Sequence, residues 1–567
     1  MNFKYIKYLF KQKTLFYLLF IGLVLPNLFL VFTENVSILT RICNLLLPSS
    51  AFLFLCTLNK KPGKMVWWLF IFIFFAAFEL VLLRIFGNSV IAVDMFLNVV
   101  TTNPVEATEL LDNILAPVLA VIFFYGGILV LSIFSIKNKK VLSHKFISRN
   151  RMVSIVVFAI AAVFTVINLI LDSRFSIVND IYPVNVSYNF GLAIDREIMA
   201  NKYFDNVEDF KFNSHYSHQA EDAEVYVFVI GETSRALNWG LYGYERNTTP
   251  LLNEIKDELY VYRDALTQSN TTHKSVPMLL SAVDASNFND IYSQRSIITA
   301  FKEAGYSTYF ISNQRRNHSL IDFFGEEADQ TIFIKDNLSD TANVYDEKII
   351  PLLQNALSDT LKTKKFIVLH TYGSHCNYSD RYPDSMCRFK PDVVPSAELK
   401  YRDNMVNAFD NTIVYTDYVV RKVIDAVKAT NVAASVIYTS DHGEDIFDDE
   451  RKMFLHASPI PTIYQIYVPF IVWTSERYND IHPENCRNMI MNIDKPIATS
   501  RVAFHTLLSM AGIVTDYSDD TNSLASESFT IKHRDYLNDH NDPVPLNEIG
   551  LIKSDFDLMD KLHLCKE

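Results

Sequence analysis

Two stretches of this sequence, residues 33–40 and 86–113, contain no lysine or arginine at all. Both lie between long apolar runs whose other connectors are basic, so the positive-inside rule excludes these two stretches from the cytoplasmic side of a membrane. A small-residue cleavage site is also absent after the first apolar run, which is too long for the apolar core of a signal peptide. We therefore predict that the first run stays in the chain as a membrane span.

Five apolar runs approach the roughly 20 residues that an α-helix needs to cross a bilayer. They cover residues 14–32, 42–58, 65–83, 114–136 and 152–171. Lysine and arginine cluster before the first run, between the second and third, and between the fourth and fifth. This pattern predicts a five-helix transmembrane domain over residues 1–171, with a cytoplasmic N-terminus and the rest of the chain on the outer face.

The composition separates two unlike parts of the chain. Its 52 basic and 64 acidic residues give a net charge of −12, and we predict no nucleic-acid partner. A hydrophobic share of 49% is too high for a soluble acidic enzyme of this length. The long apolar runs all lie before residue 172, so the excess belongs to the first part of the chain. Residues 172–223 are polar and aromatic without a clear period. For them we predict an interfacial linker, with a surface loop containing short helices as the alternative.

From residue 224 onward, short apolar runs alternate with helix-like segments. The apolar runs are residues 225–230, 307–311, 366–369, 435–438 and 470–473. Such alternation is typical of an α/β domain, so residues 224–567 are predicted to form a mostly parallel sheet sandwiched by helices.

Reactive side chains follow four of these runs. They are Glu232 after the first, Asn313 and Gln314 after the second, His370 and His375 after the third, and Asp441 and His442 after the fourth. Because functional groups gather beyond the carboxyl ends of parallel strands, we expect these side chains to converge at one edge of the sheet.

Glu232, Asp441 and His442 form a mixed oxygen and nitrogen ligand set that suits zinc or manganese better than calcium. Thr272, in the segment SNTTHKSVPMLL, is the best candidate for a fourth ligand. A threonine hydroxyl beside a metal ion loses its proton more readily and becomes a nucleophile. Taken alone, the Asp-His-Gly turn is also explained by a capped loop, and the threonine pair by a helix cap.

Five motifs in order give the chain a resemblance to a known family. They are GETSRA followed by NWGLYGYERNTTP, then NTTHKSVPM, HTYGSH, SDHGED and LHASP, all downstream of the five predicted spans. The sequence resembles the phosphoethanolamine transferases of Gram-negative envelopes. These are five-span inner-membrane enzymes with a periplasmic domain of the alkaline-phosphatase-like (sulfatase-like) fold, so the resemblance implies that fold and that location for residues 224–567.

The resemblance also implies roles for individual residues. Glu232, Thr272, Asp441 and His442 match the catalytic zinc ligands, and Thr272 matches the nucleophile. His375 and His456 match positions that contact the transferred phosphate or a second zinc, and either histidine is a candidate to protonate the leaving alcohol or activate the acceptor. Asn98 and Glu106 match a polar pair near the lipid head group. From their positions in the sequence, His370 at a strand end and His273 and Lys274 directly after Thr272 are further candidates for substrate binding.

Two departures from the family pattern stand out. A lysine expected after the second strand has no clear equivalent, and Arg315 or Arg316 is the candidate to replace its charge. The cysteines that bracket the nucleophile loop in lipid A-modifying relatives are replaced by Gln268 and Met278, so packing is expected to hold that loop. The sequence segments SNQ and SNTTHK are more similar to relatives that modify the lipopolysaccharide core.

Four cysteines lie in the predicted exported part. A local bridge between Cys376 and Cys387 is the favoured pairing, and the pairing of Cys486 and Cys565 stays open.

The implied activity is transfer of phosphoethanolamine from phosphatidylethanolamine to a lipid A phosphate or to the lipopolysaccharide core by a monomer. Polymyxin tolerance is expected if lipid A is the acceptor. Two alternatives stay open, a glycerophosphate transferase of the same superfamily and a catalytically silent membrane scaffold. A formylglycine sulfatase is disfavoured because the Cys/Ser-x-Pro-x-Arg motif is absent around Thr272.

Overall fold

The structure, a computed structural model, describes residues 11–34, 36–86, 90–101, 104–172, 175–217, 223–336, 338, 343–359 and 363–566, with the side chains of 84–86 and 100–114 outside the description. The chain divides into two compact units. The first comprises Met1–Phe96 and Leu111–Ile194, and the second comprises Leu97–Leu110 and Asp195–Glu567.

The apolar helices of the first unit confirm four of the five predicted spans. In the described part of the chain, the helices long and apolar enough to cross a membrane are Gln12–Thr33, Ile38–Cys56, Leu115–Lys137 and His144–Leu171. Leu115–Lys137 is part of the longer helix Pro104–Lys137. The remaining helices of the first 201 residues are Pro62–Trp68, Phe70–Phe86, Val93–Thr101, Ile177–Asp180 and Val184–Asn201.

The predicted third span is the exception, because it is broken. Pro62–Trp68 and the helix that begins at Phe70 meet at an angle of 71°, so they make a fifth span only if the bent pair is counted as one. Leu69, at the break, has φ −102° and ψ 17°, outside the helical region. Neither proline nor glycine occupies the break, so the usual sequence signals of a kink are missing.

Buried polar contacts join the helices of the first unit. Gln12 Nε2 donates to the carbonyl oxygen of Ser135 at 3.0 Å, and Asn27 Nδ2 donates to Asn44 Oδ1 at 2.9 Å. Gly63 packs so closely on the helix Pro104–Lys137 that an added Cβ would lie 2.3 Å from the carbonyl oxygen of Ser132. Small residues and interhelical hydrogen bonds are the usual means by which membrane helices associate.

The second unit is built on a seven-stranded sheet. In chain order its strands are β1 Glu224–Gly231, β2 Leu259–Tyr262, β3 Ser307–Ser312, β4 Gln330–Phe333, β5 Lys364–His370, β6 Ala433–Ser440 and β7 Phe470–Thr474. Their spatial order is β2-β7-β6-β1-β5-β3-β4, and only β7 runs antiparallel to its neighbours. The five predicted strands and the mostly parallel sheet are therefore confirmed. The short edge strands β2 and β4 were not predicted.

Helices and smaller sheets surround this sheet. The α-helices of the second unit after residue 201 are Tyr203–Asn206, Pro250–Glu254, Thr272–Leu279, Ile297–Glu303, Leu320–Gly325, Ile349–Ser358, Arg402–Lys428, Ile463–Ile466, Glu476–Ile481, Pro483–Met491, Thr499–Met510 and Lys553–Leu562. Short strand pairs are His215–Tyr216 with Ile513–Val514, Ala265–Leu266 with Ile497–Ala498, Asp445–Ile446 with Phe454–Leu455, and Asp535–Leu537 with Pro543–Pro545.

The register of the three central strands decides where their ends meet. Ile230 of β1 lies opposite His370 of β5 and Thr439 of β6. The residues that follow these three positions therefore leave the sheet at the same edge, as expected for parallel strands.

A stacked aromatic pair tests the packing of one sheet face. Phe366 of β5 and Phe301 are fully buried, with ring centroids 3.9 Å apart and planes 7° apart. Phe366→Ala should destabilise the second unit by about 3–5 kcal/mol, since the cavity left behind adds to the lost burial. Phe366→Leu, the matched control, should lower the thermal midpoint of the purified protein much less. Equal shifts for the two variants would contradict this account.

Candidate active site

Glu232 follows β1 and is held by the HTYGSH turn after β5. The Ser374 backbone N–H donates to the Glu232 carbonyl oxygen at 2.9 Å. Gly373, at φ 48°, lies so close that an added Cβ would be 2.6 Å from that same oxygen. Only glycine allows this approach.

The next residue, Thr233, adopts an unusual backbone conformation. Its φ of 60° is rare for a β-branched residue and carries strain. The Thr233 N–H donates to Asp441 Oδ1 at 3.0 Å, and its Oγ1 donates to Glu232 Oε1 at 2.8 Å. Through these two bonds Thr233 connects Glu232, which follows β1, with Asp441, which follows β6.

Asp441 and His442 follow β6. The His442 backbone N–H donates to Asp441 Oδ1 at 2.7 Å. His442 Nδ1 lies 2.9 Å from the carbonyl oxygen of Gly443, which can only accept, so the ring proton is on Nδ1. The lone pair of Nε2 is therefore free to act as a metal ligand.

Thr272 is the first residue of the helix Thr272–Leu279. Its Oγ1 lies 3.1 Å from His442 Nε2 and 3.3 and 3.4 Å from the two carboxylate oxygens of Glu232. A helix N-terminus favours negative charge, so its position also favours an ionised Thr272 hydroxyl. The structure thus brings the four predicted metal-site residues together.

The electrostatics of this group fit a cation. Burial, and then the neighbouring Asp441 carboxylate, raise the pKa of Glu232 to about 8. Burial raises the pKa of Asp441 to about 6 and lowers the pKa of His442 to about 4. Two carboxylates buried side by side are costly unless a positive charge lies between them.

An unsatisfied oxygen points to the same conclusion. Asp441 Oδ2 is buried and has no hydrogen-bond partner in the described part of the chain. The ligand atoms of Glu232, Asp441 and His442 lie within 4.8 Å of one another, the only such group of three among the described residues. Two carboxylates, an imidazole and a hydroxyl are donors that zinc accepts. The residues present therefore fit a zinc ion.

A cavity of about 120 Å³ opens beside this group. Its lining includes six predicted site residues, namely Asn98, Glu232, Thr272, His273, His375 and His456. Thr271, Gln314, Asn317 and Ile321 complete the lining. Gln314, which follows the predicted second strand, donates from Nε2 to Glu232 Oε2 at 3.1 Å and so orients the Glu232 carboxylate.

Two predicted substrate-binding residues, His370 and Lys274, are described by the structure but are not among those that line the cavity. His370 is buried in β5 with Nδ1 3.2 Å from Ser312 Oγ. The buried Lys274 donates from Nζ to the carbonyl oxygen of Asn538 at 3.1 Å. Glu106 lies on the helix Pro104–Lys137, where its side chain is outside the described residues.

His456 is paired with a carboxyl group that sequence reasoning missed. His456 Nδ1 lies 3.4 Å from Glu444 Oε1, and Tyr378 Oη donates to Glu444 Oε2 at 2.7 Å. The His456 and His442 rings are 4.1 Å apart. Burial lowers the pKa of His456 to about 4 and raises the pKa of Glu444 to about 8. The SDHGED motif contains Glu444, so its partner could have been sought among the downstream histidines.

His375 stacks on Tyr372, with ring centroids 5.0 Å apart. Two cations also contact the Tyr372 ring, namely Lys335, with Nζ 3.5 Å from the centroid, and Arg381, with Cζ at 4.4 Å. Burial, and then the charge of Arg381, lower the pKa of His375. These buried cations make the environment of His375 positive.

Arg315 and Arg316, the two candidates to replace the charge of the family lysine, make contacts outside the cavity. Arg316 pairs with Asp336 at 2.9 Å and with Glu326, and Arg315 donates to the carbonyl oxygen of Lys335 at 3.1 Å. Neither arginine is among the residues that line the cavity. Lys335 follows β4, an edge strand that the pattern did not indicate, so its position beside Tyr372 could not be foreseen.

The loop that leads to Thr272 is held without a disulfide. Gln268 Nε2 donates to the carbonyl oxygen of Asp535 at 2.9 Å, and Ser500 Oγ donates to Gln268 Oε1 at 2.7 Å. Met278 is fully buried. Packing at Met278 was expected, and the hydrogen bonds of Gln268 add to it.

All six cysteines of the sequence lie in the described residues and are free. The predicted bridge between Cys376 and Cys387 is therefore not formed. The Cys387 thiol instead donates to Asp392 Oδ2 at 3.0 Å, while Cys376 Sγ lies 3.6 Å from His375 Nδ1.

Comparison with known proteins gives consistent results. A model of the sulfatase family matches residues 224–513. Phosphoethanolamine transferase EptC of Escherichia coli (strain K12) is 30% identical over 312 residues, which are 53% of this chain and 53% of that protein. Phosphoethanolamine transferase CptA of Salmonella typhimurium is 30% identical over 55% of each chain. The chain thus spans about half the length of these curated relatives.

Two solved structures share the fold. The C-terminal periplasmic domain of EcEptC from Escherichia coli, in complex with Zn, is 27% identical at a TM-score of 0.53, covering 59% of this chain and 95% of that one. The integral membrane protein lipooligosaccharide phosphoethanolamine transferase A (EptA) from Neisseria meningitidis aligns at a TM-score of 0.70 and 20% identity, covering 91% of this chain and 96% of that one. This second likeness concerns the fold alone, and it includes the apolar helices.

Removal of a ligand carboxylate should abolish zinc binding. Glu232→Gln keeps the size of the side chain but removes the negative charge that a cation needs. Elemental analysis of freshly purified protein should then find far less zinc than in the wild type. Glu245→Gln, at an exposed glutamate, is the matched control and should retain zinc. Full zinc content in Glu232→Gln would exclude this carboxylate as a ligand.

Zinc binding should release a proton near neutral pH. The Glu232 carboxyl, with a pKa of about 8, is protonated in the metal-free protein at neutral pH and must ionise to bind the cation. Affinity should therefore rise with pH and fall in acid, with roughly one proton released per zinc. Calorimetric titrations in buffers of different ionisation enthalpy measure this number. Binding without proton release would show that Glu232 is already ionised.

Proposed function

This chain belongs to the sulfatase family, and we propose that it transfers phosphoethanolamine from phosphatidylethanolamine to a lipid A phosphate or to the lipopolysaccharide core. The observation that carries this proposal is the position of Thr272 Oγ1, 3.1 Å from His442 Nε2 and 3.3 Å from Glu232 Oε1. A hydroxyl in that position suits a nucleophile. The names of the relatives supply the transferred group, because they are phosphoethanolamine transferases.

The reaction proceeds in two displacements. In the first, Thr272 Oγ1 attacks the phosphorus of phosphatidylethanolamine and loses its proton as the O–P bond forms. The P–O bond to diacylglycerol breaks, and that oxygen takes up a proton as diacylglycerol leaves. In the second, an acceptor oxygen attacks the same phosphorus, gives up its proton and breaks the bond to Thr272. Each step thus forms one P–O bond and breaks one.

The residues of the site hold Thr272 ready for this attack. Glu232, Asp441 and His442 would bind zinc together with Thr272 Oγ1. When bound there, zinc supplies positive charge that favours the ionised hydroxyl and offsets the negative oxygens of the phosphodiester. Gln314 and Thr233 orient Glu232 through hydrogen bonds of 3.1 and 2.8 Å. We propose one such zinc, since the described residues contain one group of three metal-binding side chains.

Proton transfer is assigned to His456, with Glu444 as its positioning residue. His456 lines the cavity and is held by Glu444 through Nδ1, which leaves Nε2 for a proton of the leaving or attacking oxygen. The low pKa of His456 keeps its ring neutral at neutral pH, ready to act as a base in the second step. His375, with Lys335 and Arg381 nearby, provides a positive environment for the phosphate. A second zinc near His375 and His456 is the alternative role for these two histidines.

The location follows from the apolar helices and the basic connectors. We propose a multi-pass protein of the bacterial inner membrane with a cytoplasmic N-terminus, a periplasmic catalytic unit and a monomeric state. The donor is then a lipid of the same membrane. Adding an ethanolamine ammonium to an anionic glycolipid weakens the attraction of that surface for cationic peptides, so polymyxin tolerance follows if lipid A is the acceptor.

The covalent step is tested on the purified protein. Incubation with phosphatidylethanolamine should leave a phosphoethanolamine group on the Thr272 peptide, detected by mass spectrometry, and release diacylglycerol. Thr272→Ala should abolish both products, while Thr530→Ala, at an exposed threonine, should form them normally. Transfer by Thr272→Ala would refute the nucleophile. A glycerophosphate adduct formed from phosphatidylglycerol, with none from phosphatidylethanolamine, would instead identify the glycerophosphate transferase.

The dyad is tested through its pH dependence. Glu444→Gln should lower kcat by about tenfold to a hundredfold above pH 8, where the Glu444 carboxyl is ionised and polarises the imidazole, with little change in KM. His456→Ala should lower kcat further, and the acid limb of the pH profile should shift in Glu444→Gln. A Glu444→Gln variant with the wild-type pH profile would remove Glu444 from the proposal.

A further inference from the structure

A second polar cavity, of about 390 Å³, opens in the second unit and shares no lining residue with the catalytic cavity. Its wall includes Ala282, residues of the 3₁₀ helix Ala285–Tyr292, residues of the helix Thr499–Met510 and residues between 517 and 532. This volume lies within the range of about 300–1,000 Å³ that small-molecule sites occupy.

The charged side chains of this cavity neutralise one another. Asp284 pairs with Arg501, and Lys532 Nζ lies 3.1 Å from Asp519 Oδ2. Two acidic and two basic groups therefore leave no net charge in the lining. A cavity of this kind does not select a strongly charged ligand, because either sign of charge meets an equal number of like and opposite charges.

Two buried side chains in the lining have hydrogen-bonding groups without partners. Gln294 is 8% exposed, and its Oε1 is buried with no hydrogen bond to a described residue. His505 is 7% exposed, and its Nδ1 accepts the Asp519 backbone N–H at 3.2 Å, so the ring proton lies on Nε2. Burial lowers the pKa of His505 to about 4, which keeps the ring neutral. A buried group such as Gln294 Oε1 is normally satisfied, so it calls for a ligand or water.

An aromatic side chain adds an apolar surface. Tyr517 lines the cavity and packs against Phe210 and Phe212, with ring centroids 5.2 and 5.4 Å apart. These contacts hold the Tyr517 ring in place. Fixed aromatic surfaces beside polar groups suit ligands that have both apolar CH groups and hydroxyls.

We infer that this cavity binds a neutral saccharide. A sugar hydroxyl both donates and accepts, so hydroxyls can accept from His505 Nε2–H and hydrogen-bond to the Gln294 amide. An uncharged ligand matches the balanced charges, and the CH face of a sugar ring matches Tyr517. This inference depends on the cavity alone and does not require the proposed transfer reaction.

The cavity is connected to the nucleophile loop through short contacts. Arg501 Nη2 lies 4.0 Å from Asp535 Oδ2, and the Asp535 carbonyl oxygen accepts the Gln268 amide at 2.9 Å. The helix Thr499–Met510 packs against the helix Thr272–Leu279. A saccharide in the cavity therefore touches elements that also hold Thr272.

The test uses the full-length protein in detergent and four free neutral sugars, namely glucose, galactose, mannose and a heptose, observed by saturation-transfer NMR. At least one sugar should show transfer with the wild type. Gln294→Leu should weaken its binding by about threefold to tenfold, as expected for one lost hydrogen bond. Ala282→Leu, which fills the cavity without removing a polar group, should abolish saturation transfer to the sugar. Gln330→Leu, at an exposed glutamine, is the matched control and should bind normally.

Thermal unfolding of each variant separates lost binding from lost folding, and Ala282→Leu stands as an independent variant if Gln294→Leu does not fold. Three results would overturn the inference. If none of the four sugars received saturation from the protein, the cavity would hold water only. Transfer that survives both Gln294→Leu and Ala282→Leu would place the sugar elsewhere. Displacement of the sugar by inorganic phosphate would mark an anion site. Failure of the Thr272 adduct would leave these outcomes unaffected.

Discussion

The second unit depends on one electrostatic constraint, the burial of two carboxylates beside an imidazole at the end of a parallel sheet. Glu232, Asp441 and His442 are almost completely shielded from water. Without a cation, burial and mutual repulsion hold Glu232 in its protonated form near neutral pH. A divalent metal reverses that preference, because it replaces the lost hydration of both carboxylates. In the proposed reaction the same charge would stabilise an ionised threonine and offset the negative oxygens of a phosphodiester.

Several local features of the fold serve this one cluster. Thr233 remains in the left-handed region because its N–H and hydroxyl bond to Asp441 and Glu232. Gly373 lets the turn after β5 reach the Glu232 backbone. Local strain of this kind persists only where the surrounding contacts over-determine it, and such places are usually functional.

The second cavity extends the same reasoning to uncharged groups. Its ion pairs cancel, so the unpartnered groups of Gln294 and His505 decide what it can bind. The catalytic cavity selects an anion by positive charge, whereas this one selects hydroxyls by hydrogen bonds. The proposed transfer to a glycolipid would use both kinds of recognition.

Much of this architecture could be predicted from the sequence because the relevant signals are local. Apolar length predicted five spans, of which four are unbroken helices long enough to cross a membrane, and apolar runs predicted the five main strands. Strand ends also predicted that Glu232, Asp441 and His442 would meet, since parallel strands deliver their C-terminal residues to one edge. The motif around Thr272 identified this residue as the candidate nucleophile. Such features depend on period, run length and position within one segment.

Only the tertiary structure decided the rest, because those features depend on contacts between distant segments. No proline or glycine lies at the bend at Leu69, so the sequence gives no signal of it. Lys335 reaches Tyr372 from a loop after an edge strand, while Arg316 pairs with Asp336 instead. The turn between Glu444 and His456 brings the two side chains within hydrogen-bond distance. The expected disulfide between Cys376 and Cys387 is not formed. The sequence by itself determined which residues could bind a metal and attack a phosphate; folding decided which side chains orient them, since orientation is set by packing across the whole unit.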